Sequence, residues 1–381
     1  MKKKIEQVFK NSSLTFWIVT IVVAISFLLI NESKSPVAPP STETENMPLE
    51  KGIETSAIDT GEAPKRISDT HDAEGKLLIP FSRVFKTGSV NDLFVDPRGR
   101  LWAATEDGIS TLENELLTNY SINDGTFPFE QAECLTHDGK QMWIGTLFGL
   151  CCRNESGKFV RADSSDTLPS QIIYDLLWDG TTIWVGTQKG IAFKAPSGNF
   201  QTVDEHTTNG GLRNNWCKNI ARFSNWLVAA HDKGISIWNT SFPASNPELW
   251  KNIDNARSAI SRPVTGLVFD GKNLWISTAH GVLLLTTPIE KFFSEFVPNL
   301  VSYSKIHGLP TNRVNAMISH KGNIWIGTDE GLARIKNERI QLISPSSGNY
   351  TRNIRQFAAS GDILWIGTDK GIQFINTAMV D

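Results

Sequence analysis

One phrase recurs seven times along the chain and restricts its fold more than any other feature. The cleanest copies are Asn323-Ile324-Trp325-Ile326-Gly327-Thr328-Asp329-Glu330-Gly331-Leu332 and Ile363-Leu364-Trp365-Ile366-Gly367-Thr368-Asp369-Lys370-Gly371-Ile372. Four more centre on Trp102, Trp143, Trp184 and Trp275, and in the remaining copy, Leu227 to Gly234, Val228 takes the tryptophan position. The closing glycines fall at 108, 149, 190, 234, 281, 331 and 371, and a period in the forties belongs to propellers and solenoids.

Each copy has a physical reading. The apolar and β-branched residues around the Trp suit a short strand, and Thr-x-x-Gly supplies a tight turn whose glycine takes a positive φ. Eight residues before the Trp column stands another apolar residue, at Leu135, Leu176, Ile220, Leu267, Met317 and Phe357, with Leu93 one residue further away. That column marks a preceding strand. Hairpin residues such as Asp96-Pro97-Arg98-Gly99, Asp270-Gly271-Lys272-Asn273 and Ser360-Gly361-Asp362 lie between the two. Runs such as Leu364-Trp365-Ile366 are apolar without alternation, as expected of strands covered on both faces. Residues 76–381 are therefore expected to form an all-β, seven-bladed propeller of four-stranded antiparallel blades. A parallel β-helix is the competing architecture, but its coils usually run shorter than this period.

Residues 1–30 read as a targeting segment. Lys2, Lys3, Lys4 and Lys10 precede an uncharged run from Leu14 to Ile30, and the cleavage pattern at Asn31-Glu32-Ser33-Lys34 is poor. An uncleaved signal anchor is expected, a single pass through a bacterial inner membrane with the N-terminus in the cytoplasm and the propeller in the periplasm. Residues 31–75, rich in Ser, Thr, Pro and Glu, read as a disordered linker that holds the propeller off the membrane. A net charge of -3 gives no basic footprint, so nucleic acid is not an expected partner.

Catalytic signatures are missing: the chain has no phosphate loop, no His-Glu-x-x-His, no Cys-x-x-Cys and no Gly-x-Ser-x-Gly. No cofactor or metal is expected. Cys134, Cys151, Cys152 and Cys217 read as buried free thiols. Because consecutive antiparallel strands reverse direction, the Thr-x-x-Gly turns and the loops entering each first strand share one rim. The ligand-binding candidates gathered there are His231, Asp232, His280, Asp329 and Asp369 from the turns, with Arg262, Arg313 and Arg352 from the incoming loops. His231 stands out because it replaces the turn Thr of its repeat, and it reads as an exposed turn residue. Two longer repeats carry the aromatic segments Phe242 to Trp250 and Ile289 to Phe296, which either pack on an outer strand or form a partner surface.

The repeated phrase, preceded in its fullest copy by His307-Gly308-Leu309-Pro310-Thr311-Asn312-Arg313-Val314, resembles the two-component regulator propeller repeat. Thr167-Leu168-Pro169-Ser170-Gln171-Ile172-Ile173 before Trp184 is a second match. The resemblance implies a periplasmic sensing propeller of the kind found in hybrid histidine kinases, although no kinase, phosphoacceptor domain or second membrane segment follows in this chain. The expected function is a membrane-anchored, non-catalytic extracytoplasmic binding module that takes an unknown small ligand or docks an envelope protein, which includes a separate signalling protein. A propeller lyase or hydrolase acting at the loop rim, and a structural subunit of an envelope complex, are the alternatives. For closure, the last repeat lacks a fourth strand, and Lys76 to Arg83 is expected to supply it by pairing with Ile372 to Ile375.

Overall fold

A computed structural model describes residues 71–379 except 73, 155, 196–197, 255–263, 290, 292–298 and 348–349. The proposed anchor at residues 14–30 and most of the linker lie outside the described residues, among which no helix is long and apolar enough to cross a membrane. Seven sheets follow one another along the chain. The first blade consists of Val90–Val95, Leu101–Thr105, Gly108–Glu113 and Leu116–Tyr120, paired antiparallel in chain order. The others span 134–161, 173–203, 219–254, 264–303, 314–347 and 354–376. Each innermost strand touches those of the two neighbouring blades, and the last touches the first, so the sheets close into a ring around an axis. This is the expected seven-bladed propeller.

The repeat phrase accounts for the blade residue by residue. In Thr105, Thr146, Thr187, Thr278, Thr328 and Thr368 the side-chain hydroxyl donates to the carbonyl of the glycine three residues on and accepts the backbone N–H two residues on. The closing glycine has a positive φ in every blade, as at Gly190 with φ 113°, where a Cβ would also come 2.6 Å from the Val203 carbonyl oxygen. The glycine before the Thr has another purpose. A Cβ on Gly186 would lie 2.7 Å from the Cys217 carbonyl oxygen of the next blade, and one on Gly327 or Gly367 would run into Ile354 or Val90. Its missing side chain lets neighbouring blades approach.

The Trp column packs between blades, and Trp102, Trp143, Trp184, Trp275 and Trp325 are buried, Trp325 to 1% exposure. Trp365 in the closing blade is only half-buried. Four of the indoles donate Nε1–H to the aspartate that opens the hairpin before them: Trp102 to Asp96, Trp143 to Asp138, Trp184 to Asp179 and Trp275 to Asp270, at 2.7–2.9 Å. The other oxygen of the same carboxylate holds the turn, as Asp138 does through the N–H groups of Lys140 and Gln141. In blade six the hairpin is a two-residue turn at Lys321 and Gly322 without this aspartate, and Trp325 Nε1 finds no acceptor among the described residues.

Closure differs from the expectation. Leu77–Pro80 does not join the last blade but lies parallel to Arg339–Ser347 on the outer edge of blade six, Leu77 opposite Ile343 and Pro80 opposite Ser347. The cause is burial: Leu77, Ile79 and Phe81 alternate into a cluster with Trp325, Ile343 and Ile375 between blades six and seven. Beyond a register shift at Pro80 the chain steps across to blade seven. There Ser82 N–H donates to the Phe374 carbonyl at 3.0 Å, and Phe85 exchanges backbone bonds with Ile372 at 2.8 and 2.9 Å. Residues 82–85 thus take the fourth position of the last blade, and the N-terminal stretch clamps two blades rather than one.

The four cysteines are buried and form no disulfide. Of the aromatic segments, Trp250 is buried and stacks on Trp238 with ring centroids 5.5 Å apart, whereas Phe242 is half exposed. Phe292, Phe293 and Phe296 lie outside the described residues.

Candidate functional site

Two residues before the apolar column of each innermost strand, the seven blades contribute Asn91, Glu133, Tyr174, Lys218, Thr265, Asn315 and Arg355. At Asn91, Tyr174, Thr265, Asn315 and Arg355 the register of the innermost strand slips by one residue. A bulged residue is unpaired in the ladder and is re-aimed. Together with Val264, Arg313, Asp329 and Asn353, the seven line a funnel of about 520 Å³ at the axis, on the rim carrying the Thr-x-x-Gly turns.

Most of the ring fastens blades together. Asn91 Nδ2 donates to the Ala132 carbonyl, Thr265 Oγ1 to Val314, Asn315 Nδ2 to Ile354 and Arg355 Nε to Val90, at 2.8–2.9 Å. In each case the acceptor lies one residue before the ring residue of the next blade. A second belt one residue further along does the same for backbone N–H groups. Asp92 Oδ2 accepts from Leu135, Asp175 Oδ2 from Ile220 and Asn219 Oδ1 from Leu267. Burial pushes the Asp92 carboxyl up to about 7 and that of Asp175 up to about 8, against the N–H donors that favour their charged forms.

Blades two, three and four depart from this pattern. Glu133 accepts from the nearby Gln131 amide, and burial raises its carboxyl while that bond and the Arg355 charge pull it down. Tyr174 offers a hydroxyl with no hydrogen bond to any described residue. Lys218 pairs with Asp232 at 2.9 Å, and its ammonium lies 5.4 Å from the centre of the Trp216 ring. Three consecutive ring positions are therefore not used as staples, and they face the funnel on one side.

The rim residues singled out from the sequence are dispersed. Arg313 and Asp329 line the funnel, Asp329 accepting from Thr311 Oγ1 at 2.8 Å, and Asp232 reaches it through Lys218. His231 corrects the expectation of an exposed turn residue: it is only 2% exposed, and its ring replaces the missing threonine hydroxyl. Nδ1 accepts the Lys233 N–H, while Nε2 lies 2.8 Å from Ser236 Oγ, which in turn bonds Asn252. His280 and Asp369 are exposed on their turns, and Arg352 acts on Tyr350 and Lys76 near the closing clamp. Arg262 lies outside the described residues. Among the described residues no group of three or more His, Cys, Asp or Glu side chains is placed to hold a metal. The ring itself was missed, although counting back two residues from the apolar column finds it.

Residues 85–107 and 308–330 match the family model of the two component regulator propeller. These two stretches are two-component regulator propeller repeats. No curated protein matches it in sequence. Among solved structures, this repeat propeller is similar to the extracellular domain of the hybrid two component system BT3049 of B. thetaiotaomicron, with TM-score 0.64 and 18% identity over 78% of this chain and 42% of that one. The corresponding domain of BT4673 from the same organism gives TM-score 0.64 and 17% identity over 77% of this chain and 39% of that one. The chain thus spans less than half the length of these two extracellular domains. Virginiamycin B lyase from Staphylococcus aureus is similar as well, with TM-score 0.57 and 15% identity over 78% of this chain and 98% of that one. At these identities the likeness is one of fold.

Proposed function

We propose that the propeller is the extracytoplasmic, non-catalytic binding module of a membrane-tethered sensor, and that it takes a polar small ligand into the axial funnel. The observation that carries this is the ring itself: four positions staple blades together, while Glu133, Tyr174 and Lys218 present polar groups to a cavity of ligand size. A ligand bridging that sector to Arg313 and Asp329 would link blades two to four with blade six, which no ring staple joins directly, while the second belt holds blades three, four and five to one another. Sensing then needs only a ligand that binds one blade arrangement better than another. The lyase or hydrolase alternative has less support, because His231 is consumed by its own turn.

The test uses the full-length protein in detergent with the dialysable fraction of a periplasmic extract. Hydrogen exchange should slow at residues 90–92, 132–134, 173–175 and 217–219, and protection confined to outer strands would overturn the funnel assignment. Tethering through residues 14–30 is tested separately by adding protease to spheroplasts. Digestion of the propeller or its linker, with cytoplasmic markers intact, is expected; full protection would overturn the proposed topology.

A further inference from the structure

We propose that the ligand taken by the funnel is an anion, a carboxylate or a phosphate, held between Arg313 of blade six and Lys218 of blade four with Arg355 behind it. The assignment rests on the funnel being the binding site and adds the charge of what enters it. The lining holds three cations, Lys218, Arg313 and Arg355, against two carboxylates, Glu133 and Asp329, with Asp232 paired to Lys218 at its edge. The assignment therefore rests on which of these cations still have donors open to the funnel.

The hydrogen bonds separate the engaged groups from the open ones. Asp329 accepts from Thr311 and Glu133 from Gln131, so both carboxylates already have donors. On the cationic side, Arg355 commits Nε to Val90 and Nη2 to Asn91 Oδ1 at 3.1 Å, leaving Nη1 outside both bonds. The Lys218 pair with Asp232 is open to water, its side chains 37% and 38% exposed, so solvent screens it and a ligand can compete for the ammonium. Arg313 is exposed, and its guanidinium makes no hydrogen bond to any described residue. Open cationic donors converging on a cleft attract an anion, and a planar guanidinium fits a carboxylate or phosphate with two parallel bonds. Tyr174 adds a neutral donor on the same side.

The experiment titrates the full-length protein in detergent with succinate, with inorganic phosphate, and with succinamide as a neutral isostere of succinate. Calorimetry should register at least one of the anions and not succinamide, and Arg313→Gln and Lys218→Gln should each weaken the association by about tenfold. Which anion registers decides between carboxylate and phosphate. Both altered residues are exposed or partly exposed, and unchanged melting curves confirm that the variants are folded. Anion binding that survives both substitutions, or no association of either anion at millimolar concentration, overturns the proposal. If succinamide binds and Tyr174→Phe abolishes that binding, the funnel stands as the site and only the charge assignment falls. If the extract ligand protects other surfaces in hydrogen exchange, the funnel falls with it.

Discussion

At the scale of single residues, the repeat phrase is a set of separable physical tasks. The indole fills the space between blades, the glycine two residues on lets the next blade approach, and the threonine closes the turn. Trp325→Ala should cost about 3–5 kcal/mol, as truncation of a fully buried aromatic does, and should lower the melting temperature more than Trp365→Ala, whose side chain is only half-buried. The aspartate that opens the longer hairpins adds a second task. Burial raises the carboxyls of Asp138, Asp179 and Asp270, but the indole and turn N–H groups outweigh it and hold all three below the ordinary range. Asp138→Ala would strand the Trp143 N–H and two turn N–H groups. Denaturant unfolding should show a loss of about 1–3 kcal/mol.

At the scale of elements, closure depends on a segment outside the repeats. Residues 77–80 and 82–85 serve two different blades, so the ends of the chain are joined through a clamp with two points of attachment. Phe85→Pro removes the N–H that bonds Ile372 and leaves its buried carbonyl with one partner fewer. A loss of about 1–3 kcal/mol is expected, read as a lower urea midpoint. The same substitution at exposed Asn123, the second residue of the turn closed by the Gly125 N–H on the Ile122 carbonyl, gives the comparison, and equal effects at the two positions would deny the clamp its role. The bulges are the other device at this scale, since each frees one residue from the ladder and places it at the axis.

At the scale of the whole molecule, the inner belt makes stability depend on pH in an unusual direction. Asp92 and Asp175 titrate near 7 and 8 in the folded protein, above the ordinary 3.8. Below that ordinary value both states are protonated and no stability is lost. As pH rises from about 4 toward 8 the unfolded chain releases protons that the folded one retains, so the unfolding free energy falls and then levels off. Denaturant midpoints measured at pH 5 and pH 8 should show the higher stability at pH 5. Asp175→Asn should flatten that slope whatever it does to stability itself, and an unchanged slope would place the proton elsewhere.

The sequence by itself determined the blade. A period in the forties, a strand phrase apolar on both faces and a turn that only glycine closes admit few architectures, and all three features are local, so they survive without knowledge of the rest of the chain. It also named two funnel residues, Arg313 and Asp329, because their rim position follows from strand direction alone. Tertiary structure decided the rest. Whether His231 faces water or fills its own turn depends on Ser236 and Asn252 across the blade, and whether Leu77–Pro80 joins blade six or seven depends on which inter-blade cleft accepts its apolar face. The ring of Asn91, Glu133, Tyr174, Lys218, Thr265, Asn315 and Arg355 is chemically mixed, so no motif announces it. Residues some forty positions apart become one site only when the blades close around an axis, because the shared register is then converted into shared position.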